Sequence, residues 1–272
     1  MEIPSGKLII NGKLTDIKES GLRELILPGS VYEVVRLIGK CPLFLNDHLS
    51  RLYDSCLFGG KEILAESTEI KRCIALLQTA TAVTSCNIRI SFNYTDNGSF
   101  YLVHFIDSFY PDAEMYRQGV STELFRAERS NPSLKIYDTR LREKVSELLK
   151  TSGAFEIILV DSDGRITEGS KSNIFFVKDD TLVTAPDDKV LSGITRKYVI
   201  DISGKLGLKI QYRMICEDEL ENFDSVFLCG TSPMILPVSG IGEHKFTLNN
   251  TIVQALIREY SELVKASLKE CL

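Results

Sequence analysis

ITEGSKSNIFF, residues Ile166–Phe176, has the flanks of a strand and the middle of a loop. Ile166 leads in and Ile174, Phe175 and Phe176 lead out. Between them stand Glu168, Gly169, Ser170, Lys171, Ser172 and Asn173. Two readings are open: a solvated sheet edge, or a site built on a sheet. The surroundings favour a sheet. FEIILVD (Phe155–Asp161), the Asp163-Gly164 turn, the quoted stretch, the Asp179-Asp180 turn and TLVTA (Thr181–Ala185) follow one another at strand length with turn signals between. That spacing predicts a meander of paired strands.

Helices and hairpins are predicted outward from there. Downstream, SGITRKYVIDISGKLG opens a helix at Ser192-Gly193. DSVFLCGTSPMILPV is a strand running into a Gly-Thr-Ser turn, and the last 22 residues form a helix with Ile252, Leu256, Tyr260 and Leu263 on one face. Upstream, DTRLREKVSELLKTSG is a helix stopped by Gly153, and VSTELFRAER is a strand. The first 110 residues read as antiparallel sheet plus two helices. Asn11-Gly12 and Asp96–Gly98 mark hairpins, Asn46 is the expected N-cap of the helix NDHLSRLYDSCLFG, and a second helix runs roughly from Thr68 to Thr84. The organisation expected is a small N-terminal α+β domain (1–110), a linker (111–117) and a larger C-terminal domain (118–272).

Composition narrows the function. The chain has 272 residues, 44% hydrophobic and 25% charged, with a formal charge of −5 and no basic block. Nucleic acid is not an expected partner. The longest apolar runs are strand-sized, so no membrane span is expected, and the N-terminus lacks the pattern of a secretory signal. The seven cysteines are scattered and form no CxxC pair, so reduced thiols in a cytoplasmic protein are the expectation and structural zinc is not. His48, His104 and His244 complete no hydrolase triad and no HExxH, and neither GxxxxGK[ST] nor a GxGxxG after a strand is present.

Three weaker signals remain. Leu191-Ser192-Gly193-Ile194-Thr195-Arg196 opens a helix with free N–H groups that suit a phosphate, although an ordinary capped helix reads the same way. Gly230-Thr231-Ser232-Pro233 offers two hydroxyls, or is simply a turn before proline. Lys135 sits between Leu134 and Ile136. A lysine held away from water gives up its proton more readily and becomes a nucleophile for carbonyl carbon, whereas one that snorkels to the surface does not.

Taken in order, VYEVVR (Val31–Arg36), DHLSRLYDS (Asp47–Ser55), SLK (Ser133–Lys135), FEIILVDSDGRITEGSKSNIFFV (Phe155–Val177), LSGITRKYVI (Leu191–Ile200) and CGTSPMILPV (Cys229–Val238) resemble the fold-type IV pyridoxal-phosphate enzymes, the class IV aminotransferases. That family includes branched-chain and D-amino-acid aminotransferases and aminodeoxychorismate lyases. The resemblance implies a two-domain α+β fold: a small N-terminal α/β sandwich and a larger, β-barrel-like C-terminal domain with surrounding helices. It implies pyridoxal 5'-phosphate as cofactor, an amino acid and a 2-oxo acid as partners, and a homodimer.

The resemblance also implies roles. Lys135 matches the Schiff-base lysine and Glu168 the acid facing the pyridine nitrogen. Arg51 matches the phosphate arginine. Gly193, Ile194 and Thr195 match the phosphate cup, Leu191 the residue packing on the ring, and Thr231 and Ser232 a second phosphate or carboxylate contact. Asn173 shares the motif of Glu168, and Tyr32, Arg36 and Arg89 match substrate-facing positions. Two departures stand out. Arg140 occupies the place of a tyrosine in the branched-chain enzymes, and the turn TDNGS lacks the basic residues of the D-amino-acid branch. Transamination is the leading expectation. Release of pyruvate from aminodeoxychorismate is the second, and a non-catalytic dimeric relative the third.

Overall fold

The computed structural model describes residues 6–16, 21 and 24–271, which divide into two compact units. The first holds the described residues within 1–109, 134–138 and 267–272. Its strands are β1 (Lys7–Ile10), β2 (Lys13–Asp16), β3 (Val31–Ile38), β4 (Cys41–Pro42), β5 (Cys86–Thr95) and β6 (Gly98–Ile106), with helices α1 (Leu45–Phe58) and α2 (Ser67–Thr81). The sheet order is β2-β1-β6-β5-β3-β4. The β1–β2 turn puts Asn11 and Gly12 at φ 45° and 77°, the positive values that a two-residue hairpin asks of both central positions.

Alternation along the strands gives this sheet two unlike faces. On one, Val31, Val35, Ile88, Ile90 and Phe92 pack with Leu49, Leu52, Ile70 and Leu77 of the two helices. On the other, β5 carries Asn87, Arg89, Ser91 and Asn93, all buried. Arg36, Val34 and Tyr32 of β3 lie opposite the first three of these, and His104 of β6 lies opposite Arg89.

Two expectations change here. Helix α1 begins at Leu45 behind Phe44, which has φ 53° and no side-chain cap, so Asn46 falls in the first turn. The helix starts straight out of β4: Leu43 N–H donates to Arg36 O and His48 N–H to Phe44 O, and that turn sets the start. Cys41 and Cys271 form a disulfide with Cα atoms 5.8 Å apart, a normal separation. Reduced thiols were expected from scattered cysteines with no CxxC pair, and this bond joins residues 230 positions apart in sequence that meet only once the chain is folded.

The second unit comprises residues 110–133 and 139–266. It contains α3 (Ala113–Gln118), β7 (Val120–Arg126), α4 (Thr139–Ser152), β8 (Glu156–Val160), β9 (Arg165–Gly169), β10 (Asn173–Lys178), β11 (Thr181–Thr184), α5 (Ile194–Lys205), β12 (Lys209–Tyr212), β13 (Ile215–Cys216), β14 (Ser225–Gly230), β15 (Met234–Ile241), β16 (His244–Lys245) and most of α6 (Thr251–Glu270). The segment expected as a linker therefore holds a short helix, capped by the Asp112 side chain accepting from Met115 N–H at 2.8 Å. Helix α6 buries Val253, Leu256, Tyr260 and Val264. That stripe is rotated by about one residue from the expected one, because both spacings satisfy the helical period.

The strands run β12-β11-β10-β14-β15-β7-β8-β9-β13, with β16 on β15. The expected meander breaks at one place. β9 pairs with β8 and β13, while β10 pairs with β11 and β14. Residues 170–172 do not form the turn of a hairpin. They carry the chain from one stretch of the sheet to another, and Glu168 and Asn173 stand at the two strand ends so exposed to each other.

Candidate active site

The sequence candidates fall into two sets, one in each unit. Lys135, Arg51, Tyr32, Arg36 and Arg89 belong to the first. Glu168, Asn173, Leu191, Gly193, Ile194, Thr195, Thr231 and Ser232 belong to the second.

In the first unit, the lysine segment lies along the start of β3 as a short added strand. Tyr32 N–H donates to Lys135 O at 3.1 Å, Tyr137 N–H to Ser30 O at 2.9 Å and Gly29 N–H to Tyr137 O at 2.9 Å, and Val31 and Ile136 form an antiparallel bridge. Lys135 N–H donates to the buried Ser55 Oγ of α1 at 3.3 Å. Backbone contacts on both sides thus set where the lysine leaves the chain. Its Nζ lies 5.1 Å from the centroid of the Tyr32 ring.

The same ring carries a second cation. Arg89 Cζ is 4.4 Å from the Tyr32 centroid and 4.5 Å from that of Tyr137, and the two rings meet edge to face at 6.0 Å. A guanidinium gripped by two aromatic rings is held in direction as well as place. Arg36 is half-buried on the same face of β3, two residues beyond Val34. His104, fully buried behind Arg89, is pushed down to about 4 by burial and by the arginine's charge, against a bond to Phe105 O.

Arg51 sits on the other face of that sheet. Its Nε donates to Glu33 Oε1 at 2.7 Å and its Nη2 to Glu33 Oε2 at 2.8 Å, and His48 Nδ1 lies 2.8 Å from Glu33 Oε2. Burial raises the Glu33 carboxyl, but the charge and hydrogen bonds of Arg51 and the His48 contact outweigh it, so the group stays well below the usual carboxylate range. Burial pushes His48 down, with Glu33 opposing and the charges of Arg51 and Lys135 adding to the push.

In the second unit, Glu168 is the penultimate residue of β9 and is 3% exposed. Arg129 Nε donates to its Oε1 at 2.7 Å, while Asn173 Nδ2 and Leu191 N–H donate to its Oε2 at 3.2 and 3.1 Å. Asn173 Nδ2 also donates to Leu191 O at 2.9 Å. Asn173 therefore ties the acid to the segment that opens α5, a function the sequence left unassigned. Glu156 is buried below and accepts from Lys171 N–H at 2.5 Å and Ser170 Oγ at 3.3 Å, shaping the loop between Glu168 and Asn173. Burial raises its carboxyl, and those hydrogen bonds oppose the shift.

Helix α5 starts at Ile194 with Gly193 as N-cap and no side-chain cap. A Cβ on Gly193 would overlap Asn173 Oδ1, so only glycine fits. Ile194 and Thr195 are buried, and Thr195 Oγ1 is 3.4 Å from Tyr260 Oη. Thr231 and Ser232 are half-buried in the β14–β15 turn, just past the Asn173–Cys229 pairing.

Sequence reasoning missed Glu33, His48, Ser55 and Tyr137, along with Arg129 and Glu156. Some had signals. Glu33 falls in phase with the helix-facing Val31, Val35 and Leu37, an acid where alternation calls for an apolar residue, and His48, Arg51 and Ser55 repeat at helical spacing. Nothing local marks Arg129, which meets Glu168 across 39 residues.

Residues 30–241 match the family of class IV aminotransferases. A probable branched-chain-amino-acid aminotransferase of Thermotoga maritima is 30% identical over 232 residues, covering 83% of this chain and 82% of that protein. D-alanine aminotransferase of Bacillus licheniformis is 26% identical over 267 residues, covering 86% and 88%. The branched-chain aminotransferase of Thermoproteus uzoniensis, solved with norvaline, superposes with a TM-score of 0.83 at 24% identity over 97% of this chain and 96% of that one.

Proposed function

This chain belongs to the class IV aminotransferases, pyridoxal-phosphate enzymes of fold type IV, and from that premise we propose that it moves an amino group between an amino acid with a small or branched aliphatic side chain and a 2-oxo acid. The observation that carries the reading is the Tyr32 ring, which brings the amine of Lys135 and the guanidinium of Arg89 onto one side chain. A nucleophilic amine beside a fixed anion-binding group suits a substrate whose reacting carbon bears a carboxylate.

The donors of each unit suit the cofactor taken by themselves. The first unit offers an amine for an aldehyde and a guanidinium for a phosphate dianion, and the second a carboxylate for a pyridinium and helix N–H groups without a side-chain cap. When bound, pyridoxal phosphate supplies the carbonyl that takes up the amino group and the ring that accepts the electron pair released at the substrate's Cα. Lys135 holds the cofactor and moves the proton at that Cα. Glu168 holds a proton at the ring nitrogen, and Arg129, Asn173 and Leu191 N–H keep it pointed. Arg51, the backbone of Gly193, Ile194 and Thr195, and the hydroxyls of Thr231 and Ser232 bind the phosphate, while Leu191 packs on the ring. Arg89 binds the substrate carboxylate, with Tyr32 and Arg36 lining its side of the site.

Borohydride treatment of the purified protein should fix the cofactor's mass on the peptide bearing Lys135. An adduct elsewhere, or none, sinks the assignment. Single-turnover screening of L- and D-amino acids, followed by 2-oxo acids, then reads the substrate. Strict dependence on a 2-oxo acid supports transamination, whereas pyruvate release from aminodeoxychorismate with no acceptor supports the lyase instead.

A further inference from the structure

Glu33 and His48 have no part in the proposed chemistry, yet they are among the most completely buried polar groups of the first unit, at 0% and 2% exposure. A carboxylate removed from water needs its oxygens satisfied. Those of Glu33 are taken by one arginine and one histidine, both from the same helix and three residues apart. The carboxylate is ionised and can only accept, so His48 Nδ1 carries the hydrogen and donates it. With the imidazole held neutral by burial, the three groups sum to zero charge.

The pair engages Nε and Nη2, one edge of the planar guanidinium, and thereby fixes the direction of Nη1 on the other edge. The Arg51 side chain is 10% exposed, and its two bonds to Glu33 form without a ligand. On the reading that Arg51 binds the cofactor phosphate, we propose that Glu33, braced by His48, is the positioning residue that aims this arginine. Phosphate affinity then depends on a carboxylate that itself repels phosphate.

The repulsion makes the proposal testable by sign. Coulomb's law alone says that removing a negative charge within 3 Å of the arginine strengthens its hold on a dianion. Aiming says the reverse. Glu33→Gln keeps the size of the side chain and removes the charge. Cofactor-free full-length protein is titrated with pyridoxal 5'-phosphate and, separately, with pyridoxal, which lacks the phosphate. The dissociation constant for pyridoxal phosphate should rise about tenfold, the usual worth of a partner that orients a binding group, while that for pyridoxal stays within about twofold. The phosphorus-31 resonance of the bound cofactor should shift as well.

An unchanged or tighter constant for pyridoxal phosphate overturns the proposal, and so does an equal loss for pyridoxal, which marks general damage. His48→Gln, titrated in the same way, carries the test if Glu33→Gln does not fold. A phosphate-selective loss supports the bracing role, and unchanged affinity refutes it. Arg51→Gln separates the two levels. If it leaves the pyridoxal phosphate constant unchanged, the phosphate role of Arg51 has failed. If it weakens binding while Glu33→Gln does not, only the aiming has failed.

Discussion

Gly193→Ala adds one methyl group to a residue whose backbone would accept it. Gly193 has φ −64° and ψ 138°, ordinary values for an L-residue, so the backbone carries no penalty. The methyl itself has no room. An ideal Cβ overlaps Asn173 Oδ1 and lies 3.2 Å from Asn173 Cγ and 3.3 Å from Arg196 Cβ. Asn173 must retreat by about 1 Å, because non-bonded carbon atoms settle near ~3.5–4 Å. Its Nδ2 then gives up Glu168 Oε2 and Leu191 O, held at 3.2 and 2.9 Å. Overpacking costs ~1–3 kcal/mol and each of the two buried hydrogen bonds a net ~1 kcal/mol, so the total is ~3–5 kcal/mol. For a chain near this size that lowers Tm by roughly 6–20 °C. Asn173→Ala loses the same bonds but opens the space. Adding Gly193→Ala to it should therefore cost almost nothing further, a coupling as large as its cost alone, about 3–5 kcal/mol. Thermal unfolding of the wild type, the two single variants and the double variant measures this. A Tm for Gly193→Ala within about 2 °C of the wild type, or losses that simply add in the double variant, would refute the reasoning.

Glu168→Gln should leave cofactor affinity nearly intact, since the phosphate contacts remain, and lower kcat by about a hundredfold or more; near-normal turnover would end the role given to that carboxylate. His104 links stability to pH. Its folded value near 4 lies below the unfolded imidazole at about 6.5, so between those limits the unfolded chain binds the extra proton. Stability therefore falls as pH drops from 6.5 to 4, by ~3 kcal/mol from this group. His104→Gln should flatten the urea midpoint across that window, and an unchanged slope counts against the assignment. The Cys41–Cys271 bond predicts that alkylation of the unfolded, unreduced protein labels the five free cysteines and that reduction exposes all seven. Reduction should also destabilise the fold by ~2–4 kcal/mol, and seven labels without reductant would exclude the bond.

Local signals carried the elements, and non-local pairing stayed hidden. Hairpins at Asn11-Gly12 and Asp96–Gly98 appear as expected because the turn residues and the paired strands are neighbours in the chain. The break at 170–172 was visible as a polar interruption. Its outcome was not, because the choice between folding β10 back on β9 and sending it to β14 is made by strands far along the chain. The candidate residues were legible only as an ordered set, and sequence proximity could not supply their partners. Arg129 reaches Glu168 across 39 residues and Glu33 reaches Arg51 across 18.

Strand β5 does more than present Arg89. Its alternation sets Ile88, Ile90 and Phe92 against the helices, and Asn87, Arg89, Ser91 and Asn93 toward the other side. A slip of one residue against β3 or β6 would drive a guanidinium and two amides into the apolar layer and turn three large hydrophobes out of it. Few registers are so strongly forbidden. The polar residues of that face thus act as a proofreading device during folding: a chain that has paired this sheet correctly has, by the same act, put Arg89 between its two tyrosines.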